Sequence, residues 1–209
     1  MMVESWFPTL IFVTQITDET GNNKLLAKRA YELREEEQGQ VSTEWNCDTF
    51  NTLKLSPDRY YKGDEIDTVI DNFKDFVAPL VEHYAKYYDA DLDNFNIVCN
   101  DFWFNIAEPG TFQEYHQHPN NHFSVVYYVD AEENAGNIIF KSFESISDTH
   151  TIPSKNDKFD APGSRKTCFY KPIPGRLLIF RSNLLHMVEK NMSGKDRISI
   201  AANYEMVKK

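Results

Sequence analysis

The chain has 209 residues, enough for one well-buried core and barely enough for two. Hydrophobic residues make up 41% and charged residues 26%, which excludes a disordered or collagen-like chain. The net charge of −10, from 22 basic against 32 acidic residues, speaks against general binding to phosphate backbones or anionic lipid.

The opening Met1-Met2-Val3-Glu4-Ser5-Trp6 has no basic segment followed by an apolar run, so no signal peptide is expected. No stretch approaches the length of a membrane span, and a cytoplasmic location is expected. Phe7 to Thr14 is a short apolar, β-branched run that reads as a strand. Asn23 to Glu37 sets Leu25, Leu26, Ala30 and Leu33 at helical spacing among charges. Trp45 to Leu55 is ambiguous between a strand pair and irregular chain. A second helix carries one apolar stripe of Ile66, Val69, Ile70, Phe73, Val77, Leu80 and Tyr84, with Asp64 where an N-cap belongs. Pro79 is expected to kink or split it. Cys47, Cys99 and Cys168 lie far apart and are odd in number, so they read as small buried hydrophobes rather than a disulfide framework.

After Asp93 short β-rich runs follow one another: Phe95 to Ile106, Phe123 to Val129, Asn137 to Phe140, Lys166 to Tyr170, Arg176 to Phe180 and Ile198 to Tyr204. Turn signals such as Pro109-Gly110, Ala135-Gly136 and Pro174-Gly175 separate them. Many short strands with regular turns predict a sandwich or barrel rather than a parallel sheet. Ser142 to Lys166 is the longest polar connection and a candidate lid or binding loop. The predicted organisation is an N-terminal strand with bracing helices over 1–92 and a β core over 93–209, forming one compact domain.

Of six histidines, three cluster as His116, His118 and His122 in EYHQHPNNHF. Residues two apart on a strand share a face, so His116 and His118 can converge on one point. Alone, such a motif recurs by chance. RLLIFRSNLLHMVEKN then runs through a strand and a turn to His186, and KDRISIAANY follows with Arg197 and Ser199. A non-haem iron site needs ligands on one side of the metal and open positions opposite. An anionic cosubstrate needs a cation for its far carboxylate, best met by the planar fork of arginine. Arg197, eleven residues beyond His186, and Ser199 on the same face fit that task.

These residues resemble the 2-oxoglutarate/Fe(II) oxygenases, with the prolyl hydroxylase branch nearest in texture. That family runs H-x-D, a strand ending in Tyr-Tyr, a Gly turn, a Gly-Arg-Leu-Leu-type strand, a distal His and an Arg. The counterparts here are HQH at 116–118, SVVYYVD at 124–130, AGNIIF at 135–140, GRLLIF at 175–180, His186, and RIS at 197–199. The resemblance covers about half the chain and implies a mostly β fold with flanking helices around a double-stranded β-helix (jelly-roll, cupin-like) core. It implies Fe(II) as metal and 2-oxoglutarate as cosubstrate, with oxidative decarboxylation of the cosubstrate coupled to substrate oxidation, usually hydroxylation. Arg197 and Ser199 would hold the far carboxylate, with Tyr128 reaching it from the Tyr-Tyr strand. Asn105 would bind the cosubstrate or cap an edge. Tyr127 would pack outward in the core.

One departure stands out. Where the family has Asp, this chain has His118. Three arrangements follow: an all-histidine triad of His116, His118 and His186, as iron accepts in cupin dioxygenases; two histidines with water, as in relatives similar to aspartyl hydroxylase; or a nearby carboxylate such as Glu114. The first is preferred because His118 holds the matching position. His122 is read as structural or pocket-lining, and His83 and His150 as exposed or helix-face residues. Two other functions stay open: a cupin-type three-histidine dioxygenase without 2-oxoglutarate, and a non-catalytic jelly-roll binding module. The substrate, a small molecule or a peptidyl side chain, and the oligomeric state are not legible.

Overall fold

The computed structural model describes residues 8–37, 49–142 and 166–209. Its elements in chain order are β1 (Ile11–Gln15), α1 (Asn22–Glu36), β2 (Phe50–Asn51), a 3-10 turn (Pro57–Tyr60), α2 (Glu65–Lys86), β3 (Phe95–Ala107), β4 (Gln113–His116), β5 (Phe123–Asp130), β6 (Ile138–Lys141), β7 (Thr167–Tyr170), β8 (Arg176–Arg181), β9 (His186–Val188) and β10 (Arg197–Lys208). A six-stranded sheet has the order β1-β8-β5-β10-β3-β2, and a four-stranded sheet the order β4-β9-β6-β7. Every strand pair is antiparallel. The two sheets form the expected double-stranded β-helix.

Alternation along the strands separates two cores. On the outer face of the major sheet Phe104, Ile106, Val125, Tyr127, Leu177, Ile179, Ile198 and Ile200 meet both helices. On the inner face Tyr128, Leu178 and Phe180 pack with Ile138 and Phe140 of the minor sheet. Tyr127 therefore points outward into the helix-side core as expected, its hydroxyl donating to Asn23 Oδ1 at 2.8 Å. The N-terminal segment does more than brace, since β1 pairs with β8 and β2 with β3 inside the major sheet.

Both helices start where side chains satisfy their orphan N–H groups. Asp18 accepts from the backbone of Asn22 and Asn23 at the head of α1, and Asp64 from Ile66 at the head of α2. The second helix runs through Pro79 instead of splitting. Proline deprives the carbonyl four residues back of its partner. Here that carbonyl belongs to Asp75, and both Pro79 and Asp75 lie on the outer side of the helix, so water can take the place of the missing N–H. The buried Arg29 of α1 is fully matched: it bonds Glu36 at 2.8 Å and Glu32 at 3.3 Å, and donates to the carbonyls of Tyr60 and Arg59.

Short strands account for most differences from the sequence pattern. β4 and β9 have four and three residues and a mixed polar content, so no periodic run marks them. Of Trp45 to Leu55 the described residues 49–55 contain one strand, Phe50–Asn51, and residues 38–48, with Cys47, lie outside the described part. The same is true of 143–165, which holds nearly all of the candidate lid and His150. Cys99 and Cys168 are free and half-buried. Among the described residues no helix is long and apolar enough to cross a membrane.

Gly175, in the turn before β8, has φ +85°, and a Cβ there would lie 2.2 Å from the carbonyl oxygen of Ile16. That carbonyl cannot move freely, because the N–H of Ile16 donates to Gly175 O at 2.7 Å. Gly175→Ala is expected to cost about 1–3 kcal/mol of stability, read as a lower urea midpoint with unchanged m-value.

Candidate metal and cosubstrate site

β10 carries its inner face as Arg197, Ser199, Ala201 and Asn203, one residue in two. Its neighbours align functional side chains in rows: Asn203 lies opposite Asp101 of β3 and Ser124 of β5, and Ser199 opposite Asn105 and Tyr128. The imidazoles come from the facing minor sheet. His116 ends β4 directly opposite His186, which opens β9. His118 lies just beyond β4, where its backbone N–H donates to Ser182 O at 2.9 Å. The expectation that His116 and His118 share one regular strand face is corrected accordingly: the ladder stops at His116, and the bond to Ser182 brings His118 in.

One potential ligand atom from each of His116, His118 and His186 lies within 4.8 Å of the others, a group that could hold a metal ion. The ring pairs are 4.1 Å (His116–His186) and 5.2 Å (both pairs with His118) between centroids. Each Nδ1 bonds a fixed oxygen: His116 to Glu114 O at 2.7 Å, His186 to Leu184 O at 2.8 Å, and His118 to Asn203 Oδ1 at 2.8 Å. A carbonyl can only accept, so the proton sits on Nδ1 and the lone pair on Nε2. His118 Nε2 is buried and has no hydrogen-bond partner. A buried lone pair without a donor is what a cation would satisfy, and three neutral nitrogens suit a first-row transition metal. The residues fit the group.

Glu114 does not join them. It is exposed, and the strand pairing shifts register between Gln113 and His116, which breaks the count that put it in phase. His122 is structural, its Nδ1 accepting from Met206 N at 3.2 Å. His83 sits exposed on α2, edge-on to Phe12 and Tyr87.

Burial keeps the imidazoles neutral. His186, wedged against Phe180 and Phe140 at centroid distances of 4.8 and 5.9 Å, has its pKa lowered well below the usual value by desolvation and by the two neighbouring rings. Desolvation lowers His116, and desolvation with the His116 ring pushes His118 down to about 4.

Arg197 is the opposite case. It is 5% exposed, and its Nη1 donates to the carbonyls of Ala135 at 2.6 Å and Gly136 at 3.1 Å. Unlike Arg29 it has no carboxylate within ion-pair distance among the described residues, and burial lowers its pKa. A Cβ on Gly136 would fall 2.2 Å from Glu189 O and 3.0 Å from that Nη1, so only glycine admits this approach. Tyr128, wholly buried, is pushed up to about 12 by desolvation against the opposing pull of Arg197 and Arg176, so its hydroxyl stays a donor. Asn105 Oδ1 accepts from Trp103 Nε1 at 3.1 Å. A cavity of about 620 Å³ lined by Ala135, Gly136, Lys171, Pro174 and Glu189 includes none of the predicted site residues.

Sequence reasoning missed Asp101, Trp103, Ser124, Ser182 and Asn203. The Trp103 ring stacks on His118 at 5.7 Å, and Ser124 Oγ bonds both Asn203 Oδ1 and Ser182 Oγ at 2.9 Å. The available signal was the polar period of two in D-x-W-x-N and R-x-S-x-A-x-N.

A double-stranded β-helix with imidazoles gathered between its sheets is the framework of the jelly-roll oxygenases. Residues 101–203, just under half of the chain, match the family model described as "Putative 2OG-Fe(II) oxygenase". Solved structures share the fold at low identity. A Pseudomonas putida prolyl-4-hydroxylase aligns with TM-score 0.63 and 14% identity, over 94% of this chain and 92% of its own. A Trichoplax adhaerens prolyl hydroxylase, solved with a hypoxia inducible factor oxygen degradation domain peptide fragment, gives 0.59 and 14% over 93% and 83%. The epimerase SnoN, in complex with Fe3+, alpha ketoglutarate and nogalamycin RO, gives 0.62 and 12% over 94% and 79%. No curated protein matches in sequence.

The depressed imidazoles have a consequence for the metal-free protein. Between about pH 4 and 6.5 the unfolded chain binds more protons than the folded one, so stability rises with pH across that window. His118→Gln is expected to flatten the rise by part of the ~1.4 kcal/mol per pH unit that one fully linked group contributes, measured by urea unfolding of metal-free protein.

Proposed function

We propose that this chain oxidises its substrate, in a hydroxylase-type reaction, with Fe(II) held by His116, His118 and His186 and 2-oxoglutarate held by Arg197, Ser199 and Tyr128. The observation that carries the metal assignment is the buried, partnerless Nε2 of His118 beside the other two rings. Bound there, the metal would couple oxidative decarboxylation of 2-oxoglutarate to attack on the substrate by dioxygen.

The protein's own residues do the rest. The bonds at Nδ1 of all three rings fix their orientation before metal arrives. Ser199 lies two residues from Ala201 and Arg197 four, so they follow one and two steps of about 7 Å down the inner face of β10. A dicarboxylate with one end at the imidazoles would point its other end along this line, past the small side chain of Ala201. There Arg197 offers a buried cation with no counter-charge among the described residues, and Tyr128 a hydroxyl that remains a donor. Asn105, opposite Ser199, is held by Trp103, which favours a role in shaping the wall. Phe140, Phe180 and Trp103 pack against the rings and keep water from them.

Arg197, which has no carboxylate partner among the described residues, favours this reading over a cupin-type dioxygenase that needs no second carboxylate, and the buried imidazole lone pair favours it over a binding module without metal. A cytoplasmic setting belongs to the same reading, since the two described cysteines are free thiols. Peptidyl and small-molecule substrates both fit the fold neighbours.

Turnover of 2-oxoglutarate to succinate tests the assignment as a whole. His116→Ala and His186→Ala should each abolish stoichiometric Fe(II) binding after dialysis. His118→Ala should lose Fe(II) affinity and His118→Asp should recover it by supplying an anionic oxygen. Tight Fe(II) binding by His118→Ala would retire the three-histidine site. For the cosubstrate, a charge-assisted contact contributes roughly 1.5–3 kcal/mol. Arg197→Gln should therefore weaken 2-oxoglutarate binding by about one to two orders of magnitude while Fe(II) stays bound. Unchanged affinity with a lower melting temperature would make Arg197 structural.

A further inference from the structure

We infer that Asn203, itself held by Asp101, is the positioning residue that locks His118 in its metal-binding tautomer. The inference rests on the metal-site reading above and concerns residues that reading does not use.

The chain of bonds fixes every donor. The Asp101 carboxylate can only accept, so the group that meets its Oδ2 at 3.0 Å must be the amide nitrogen of Asn203. The amide oxygen is thereby turned the other way, toward His118 Nδ1 at 2.8 Å and Ser124 Oγ at 2.9 Å. Against an oxygen, His118 Nδ1 must donate. Its lone pair then lies on Nε2, the atom buried without a partner beside His116 and His186. The other tautomer would set a lone pair against the Asn203 oxygen and bury an unmatched N–H, two penalties at once.

The backbone is shaped for this contact. Across β3 and β10 Asn203 lies opposite Asp101, whereas Tyr204 lies opposite Cys99, so Asn100 is an extra residue bulged out of the ladder. Bulges re-aim neighbouring side chains. Asn100 is tied on the outside by Glu205 at 2.9 Å and Asn121 at 3.1 Å, which holds the bulge in place. Asn203 is 4% exposed, so water does not compete for its amide. His116 and His186 take their tautomers from backbone carbonyls two residues away. Only His118, the residue that stands where relatives carry Asp, takes its tautomer from a side chain. The arrangement also keeps a carboxylate near the metal position, two hydrogen bonds removed, instead of on it.

The test reads the ring directly. Long-range 1H–15N spectra of 15N-histidine-labelled, metal-free protein at neutral pH report which nitrogen of His118 bears the proton, and Co(II) titration reports affinity. Wild type is expected to show the proton on Nδ1. In Asp101→Asn the Asn203 amide is free to turn over and offer its nitrogen, so the Nε2–H form should become populated. Co(II) affinity should then fall about 10–100-fold. The exchange Asp101→Asn/Asn203→Asp keeps the volumes and restores the logic: the carboxylate now on β10 accepts from His118, while the amide now on β3 donates to that carboxylate. It should recover both tautomer and affinity. An unchanged tautomer and affinity in Asp101→Asn would overturn the inference, as would a folded double variant no better than the single one. If Asp101→Asn does not fold, Asn203→Asp replaces it; retention of the Nδ1 proton there supports the lock and its loss overturns it. Wild type that binds no Co(II) would sink the metal-site reading, while the tautomer measurement would still decide the role of Asn203.

Discussion

Strand β10 sits between β3 and β5 at the middle of the major sheet, and its two-residue alternation has to satisfy two incompatible environments at once. Ile198, Ile200, Ala202 and Tyr204 enter the dry core beneath the helices, while Arg197, Ser199, Ala201 and Asn203 face the minor sheet. A slip of one residue would exchange the sets, burying a guanidinium among aliphatics and turning isoleucines toward the imidazoles. Pairing along nearly its whole length with β3 excludes the slip. The geometry of the site therefore follows from the hydrophobic demand of the opposite face, and rigidity is supplied by a core that never touches the chemistry.

Much of this was legible in the sequence because periodicity encodes it. The long strands β3, β5, β8 and β10 and both helices fall within a few residues of their predicted places, since their apolar patterns persist over several turns or pleats. The elements that carry the imidazoles were the least legible. β4 and β9 are too short to show a period, and the register shift near His116 invalidates parity counting, which is why Glu114 was a candidate on paper and is exposed in space. Pro79 was readable as a disturbance but not as one that leaves the helix unsplit: the penalty of a proline depends on whether the deprived carbonyl can reach water, and only the fold says which side of the helix faces out. The polar companions of His118 were missed because side chains a hundred residues apart meet only through strand pairing, as Asp101 and Asn203 do.

Charge is distributed in two regimes. Outside, an acidic surface and the Arg59 and Lys62 bridges to Glu32, Glu36 and Glu37 organise α1 in conditions where water and salt temper each pair. Inside, the imidazoles are kept neutral by burial, and among the described residues Arg197 has carbonyl dipoles and no carboxylate beside it. A buried charge with only dipoles for company is a standing electrostatic strain, and binding an anion beside it relieves that strain. An acidic exterior repels anions at long range, so the anion proposed to bind beside Arg197 would be a small one rather than a large polyanion.

The pairing of β1 with β8 bears on how the protein is made. Residues 11–15 find their partners at 176–180, so this edge strand of the major sheet is synthesised long before the strand it pairs with. Domains rich in such distant pairings close slowly, because loop entropy must be overcome before the contacts form. Until β8 emerges, the apolar Ile11-Phe12-Val13 segment has no place in the sheet and its edge is open to other chains. Production at reduced temperature, or with a chaperone bound to this nascent segment, would shelter that interval.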